Sequence, residues 1–135
     1  MDSDDTRSVI ERNASEISRL HARIHETVKL RDRGAAERRE WEQACAEFHA
    51  RYDELAFPGG YSGALERIVA GDPDTMEAAI CFLEVRPYFF RSGYMFKDIL
   101  RKTRRAPLSG AQADRFAAVE QKLEAWRARR EGHEA

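Results

Sequence analysis

Apolar residues recur at spacings of three and four along almost the whole chain, which predicts helices and no strands. Ile10, Ala14, Ile17, His21, Ile24 and Val28 form the first such series. We expect that helix to begin after Ser3-Asp4-Asp5-Thr6, since these residues cap helices and acids suit the positive end of the helix dipole. Ile10, Ile17 and Ile24 lie at heptad intervals, so this face can form a coiled-coil-like seam and pair with a second copy.

Trp41, Ala44, Cys45, Phe48, Tyr52 and Leu55 form the second series. On one continuous helix its stripe would be rotated by roughly 130° from the first. Either a single long helix uses two sides in turn, or the chain breaks near Arg33-Gly34. Glycine is costly inside a helix and common just past its end, so the favoured reading is an antiparallel hairpin.

Phe57-Pro58-Gly59-Gly60 is punctuation. Beyond it the predicted helices shorten. Ser62 is the expected cap of a helix carrying Leu65, Ile68 and Val69, which Gly71 ends. Asp72-Pro73 is a start signal for a helix with Met76, Ala79, Ile80 and Leu83 facing inward, ended by Arg86-Pro87. Ser92 is the expected cap of the next, which carries Met95, Phe96, Ile99 and Leu100. After Ala106-Pro107, Ser109 and Gln112 have the spacing of a capping box. The last helix carries Phe116, Val119, Leu123 and Trp126. Pro87 argues against a strand in the bulky run from Phe82 to Phe90.

The expectation is an all-α single domain, residues 1–135, of about six helices. A long N-terminal hairpin (1–56) leads through a Pro/Gly hinge (57–62) into a compact C-terminal bundle of short HEAT-like helices (63–130). Two loose copies of helix, proline-containing turn and helix, about 35 residues apart, suggest the HEAT-like character.

Charge changes the picture locally. The chain carries 23 Lys and Arg against 24 Asp and Glu, so it has no global pull toward nucleic acid or membrane. From Arg86 to Arg105, however, seven cations face one acid, Asp98. The same stretch holds Tyr88, Phe89, Phe90, Tyr94 and Phe96. Phe89, Phe90, Phe96, Ile99 and Leu100 read as core. Tyr88, Arg91, Tyr94, Lys97, Arg101, Lys102, Arg104 and Arg105 remain as a candidate binding face. That face is either only solvated, or it meets an acidic protein surface, for which arginine and tyrosine are suited anchors. The runner-up is nucleic acid, through phosphate contacts and stacking.

No catalytic or cofactor motif accompanies these features, and the expectation is a non-enzymatic protein without a cofactor. Gly59-Gly60 lacks the lysine and spacing of a phosphate loop. The serines sit at expected caps, and Cys81 between Ile80 and Phe82 reads as a buried, inert thiol. Glu84 is expected to pair with Arg86 or Arg91. His21 and His25, and Cys45 and His49, are each four apart and share a helix face. If the hairpin forms, the four can be imagined as zinc ligands, although flanking the core is the commoner use.

The acidic N-terminus lacks the apolar run of a secretory signal, no stretch is long and apolar enough to span a bilayer, and two cysteines make no disulfide framework. The expected location is the cytoplasm. The excess of arginine over lysine, with abundant alanine, reads as a bacterial coding bias. The segments Gly71-Asp72-Pro73 to Phe82-Leu83-Glu84, Pro87-Tyr88-Phe89-Phe90-Arg91-Ser92-Gly93-Tyr94, Leu100-Arg101-Lys102 and Ala106-Pro107-Leu108-Ser109 resemble a pattern in small bacterial helical proteins with HEAT-like hairpins. The resemblance spans Leu65 to Phe116. It implies a helical scaffold and carries no catalytic residue across. The expected role is an adaptor or immunity-type protein that binds its partner through the basic helix face.

Overall fold

The computed structural model describes residues 2–134, and the described residues form six α-helices and no strand. These are α1 (Ser3–Val28), α2 (Ala35–Ala56), α3 (Ala64–Ala70), α4 (Pro73–Val85), α5 (Ser92–Thr103) and α6 (Gly110–Glu134). None of them is long and apolar enough to cross a membrane.

α1 starts earlier than its serine and threonine suggest. Asp2 is the N-cap, its carboxylate accepting the Asp5 amide at 2.8 Å. Ile10, Ala14, Ile17 and Leu20 are buried, and α1 packs on both α2 and α4. The heptad face is therefore largely consumed inside one molecule, with Ile17 fully buried and Ile24 packed on the core edge. This leaves little of the seam for a second copy.

The chain does turn back before α2, so the hairpin is real. Gly34 is its N-cap in an extended conformation, not a left-handed residue closing α1. Arg23 with Glu47 at 3.0 Å and Arg51 with Glu16 at 2.9 Å tie the two helices along their length.

The 57–62 segment forms a packed corner between α2 and α3. Phe57 is fully buried, 5.9 Å from the ring of Phe82. Arg67 donates to the carbonyls of Gly60 and Ser62, and Asp53 accepts both the amide and the hydroxyl of Ser62. Ser62 is thereby withdrawn from capping, and Gly63, left-handed at φ 75°, opens α3 instead.

α4 is the central helix and contacts α1, α3, α5 and α6. Its expected stripe understates it. Met76, Ala78, Ala79, Ile80, Cys81, Phe82 and Leu83 are all buried, as befits a helix packed against four neighbours. Asp72 caps it as expected, accepting the Thr75 amide at 3.0 Å. The Ser109–Gln112 capping box is present at the start of α6. α6 packs chiefly on α4, so the two helix–turn–helix copies do not occupy equivalent places. Phe116, Val119 and Leu123 are buried, whereas Trp126 of the same apolar series is 41% exposed. At 1.5 Å per residue α6 spans about 37 Å and runs well beyond Leu123.

Candidate functional site

The aromatic-basic stretch folds as two structures, a strained corner and a helix. The corner is bracketed by Arg86 at φ 48° and Arg91 at φ 69°, the non-glycine residues with left-handed backbone among those described. Each such residue costs about 1–2 kcal/mol, so packing must hold the turn in place. Phe89 supplies that packing. It is buried against Tyr52 and Phe82, with ring centroids at 6.1 and 6.5 Å. The Phe89 amide donates to the Ser92 hydroxyl at 3.0 Å, and the Ser92 amide returns to the Phe89 carbonyl at 2.9 Å. Ser92 is therefore buried inside the corner and does not cap α5; Arg91 holds the N-cap position. Tyr52 donates its hydroxyl to the Phe90 carbonyl at 2.7 Å.

Phe90 departs from its expected place in the core. Arg91 turns the chain there, and the Phe90 ring lies on the surface of α1, stacked on His21 with centroids 4.6 Å apart. It remains 41% exposed. The Arg91 guanidinium sits 5.2 Å from its centroid. Tyr88, beside it, is 92% exposed. Tyr88, Phe90 and Arg91 line an open groove together with His21 and His25 of α1.

From Ser92 onward α5 buries Met95, Phe96, Ile99, Leu100 and Thr103. Helical spacing sends Tyr94, Lys97 and Arg101 to the opposite side, and all three are exposed, as is Arg105 in the turn just beyond the helix. Tyr94 is 72% exposed. Arg101 holds Asp98 at 3.1 Å on that side. Arg104 turns toward α6 and pairs with Glu120 at 3.0 Å, and Lys102 is partly buried on the flank. The eight expected binding residues therefore divide. Tyr94, Lys97 and Arg101 share the outward face of α5, Arg105 lies exposed in the turn after it, Tyr88 and Arg91 belong to the corner, and Arg104 and Lys102 border the helix packing.

The histidines and Cys45 do not converge on a metal. His21 and His25 touch edge to face at 4.6 Å, but the Phe48 ring lies 5.6 Å from His21 and 5.7 Å from His49, separating them. Among the described residues no three His, Cys, Asp or Glu side chains are arranged to hold a metal ion. Burial, with a smaller effect from His25, pushes the His21 pKa below its usual value. His21 thus packs as one ring of an aromatic stack with Phe48 and Phe90.

Glu84 does not pair with Arg86 or Arg91. It accepts from Arg115 at 2.6 Å and from Arg7 at 2.8 Å, joining α6 and α1 to α4. Glu77, one helical turn before Cys81, accepts from Ser3, Arg115 and Gln112. Sequence spacing could not reveal these links, because the partners lie far along the chain. Burial works to raise the Glu77 pKa, but these hydrogen bonds and the Arg115 charge prevail and hold it at about 2. Arg115 also lowers the pKa of Glu84, with Arg7 assisting. Cys81 is fully buried, and burial pushes its thiol pKa up, so it is a poor nucleophile.

No family model, curated protein or solved structure matches this chain.

Proposed function

We propose that this chain is a non-enzymatic protein-interaction module, an adaptor or immunity-type protein of the bacterial cytoplasm, that docks an acidic partner surface on the outward face of α5. The observation that carries the reading is the exposed Tyr94 with Lys97 and Arg101 on a helix whose other side is core, and the exposed Arg105 in the turn just after it. A tyrosine standing 72% exposed among cations offers a rigid apolar anchor ringed by charges that steer an acidic surface. Asp98 is the one acid on this face and is already held by Arg101.

The nucleic-acid alternative uses the same cations. Arg104 is committed to Glu120, and the chain as a whole is at −1, which weakens the electrostatic footprint that reading needs. The metal alternative has no ligand cluster among the described residues.

The test compares wild type with a Lys97→Glu, Arg101→Glu, Arg105→Glu triple variant in affinity purification from the source cells, alongside DNA and RNA shift assays at low salt. We expect an acidic protein retained by wild type and lost by the variant, with no nucleic-acid shift. A salt-sensitive shift abolished by the variant would establish nucleic-acid binding in its place.

A further inference from the structure

On a different side of the molecule, α4, α5 and α6 enclose a cleft of about 420 Å³, within the size range of small-molecule sites. Its apolar lining comes from Leu83 on α4, Phe96 on α5, and Val119 and Leu123 on α6. Arg7, Arg86, Arg115 and Lys122 also line it, against one carboxylate, Glu84.

The charges are not equivalent. Arg7 and Arg115 both grip Glu84, and Arg115 also holds Glu77, so these four groups satisfy one another. Arg86 and Lys122 are left over, with no ion pair to either among the described residues. Arg86 is held differently. Its guanidinium lies 4.8 Å from the centroid of Phe96 and 5.5 Å from that of Trp126. Rings engage the flat faces of a guanidinium and leave its edge N–H donors free, in the fork that matches a carboxylate. The left-handed backbone at Arg86, φ 48°, sets this side chain at the end of α4 beside the cleft.

We infer that this cleft binds a small amphipathic carboxylate, with the ligand's anionic head on Arg86 and Lys122 and its hydrocarbon body along Leu83, Phe96, Val119 and Leu123. Charge complementarity selects the head, because two unmatched cations stand at an apolar lining. Glu84 does not repel it strongly, since both of its oxygens are occupied by arginines. The site is separate from the outward face of α5 and does not depend on the partner proposed there.

Isothermal titration calorimetry with decanoate, kept below its aggregation range, tests the inference, with decanol and acetate as the matched neutral and short-chain probes. Saturable one-to-one binding of decanoate is expected, with decanol weaker by about tenfold or more because it lacks the charged head, and acetate weaker by about tenfold or more because it lacks the hydrocarbon body. Arg86→Gly should weaken decanoate by about tenfold, because glycine accepts the left-handed turn while removing the fork. Lys122→Ala on the exposed side of α6 should weaken it by a smaller factor. Absence of saturable decanoate binding to wild type would overturn the inference without reference to any variant. Equal affinity for decanol would reduce the cleft to a nonspecific apolar groove, and undiminished binding by both Arg86→Gly and Lys122→Ala would remove the head-group assignment.

Discussion

Phe89 and Phe90 are adjacent, chemically identical and assigned opposite roles by the structure, which allows an internal control. Phe89 is 5% exposed between Tyr52 and Phe82, so Phe89→Ala deletes a fully packed ring. Such deletions cost about 3–5 kcal/mol from lost transfer energy and the cavity left behind. Phe90 is 41% exposed. A fully buried aromatic side chain contributes roughly 1.5–3 kcal/mol by area, and about six-tenths of that is available here. Stacking on His21 at 4.6 Å adds about 0.5–1 kcal/mol, so Phe90→Ala should cost about 2 kcal/mol. The Tyr52 bond to the Phe90 carbonyl uses backbone, so neither substitution removes it directly. Urea unfolding followed by circular dichroism measures both. With a slope of about 2 kcal/mol per molar, the midpoint should fall by about 2 M for Phe89→Ala and about 1 M for Phe90→Ala. Equal shifts, or a larger one for Phe90→Ala, would refute the division of this motif into core and surface.

Two further predictions concern backbone and charge. Gly71, at φ +87°, has Pro107 Cγ at 2.8 Å from where a Cβ would stand, whereas Gly59, at φ +84°, has nothing within 4 Å. Gly71→Ala should therefore cost about 2–3 kcal/mol and Gly59→Ala about 1 kcal/mol, read as a larger fall in Tm for the former. Glu77 has a folded pKa of about 2 against an ordinary 4.5. The unfolded chain therefore binds more protons across this window, and the stabilisation is complete above about pH 4.5 and lost as pH falls through about 2. Denaturant titrations from pH 6 to 2 should show that loss, and Glu77→Gln should flatten the slope; an unchanged slope would remove Glu77 from acid unfolding.

The sequence displays its local devices well. Asp72-Pro73, Gly71 and the Ser109–Gln112 box each act within one turn of chain, and each is found where spacing places it. The signals fail where a distant group competes for the same atoms. Ser62 has the chemistry of a cap, but Asp53 takes its amide and hydroxyl. Ser92 fails for a local reason, since its hydroxyl accepts the Phe89 amide three residues before it. Glu84 has two cations nearby in sequence, yet Arg7 and Arg115 reach it across the fold. Helical periodicity separates the outward face of α5 from its core side, but it could not assign Phe90, because the left-handed turn at Arg91 interrupts the period. Nor could it show that Arg104 is spent on Glu120, sixteen residues away on another helix.

The direct test of the interaction reading is affinity purification with wild type and the Lys97→Glu, Arg101→Glu, Arg105→Glu variant at equal expression, quantified by mass spectrometry. Lys97 is included and Arg104 is left intact, so the Glu120 pair is preserved and the fold is not perturbed through it. The account predicts an acidic protein enriched by wild type and depleted at least tenfold by the variant, while circular dichroism of the two proteins coincides. A partner retained equally by both would contradict the assignment of the α5 face as the docking surface.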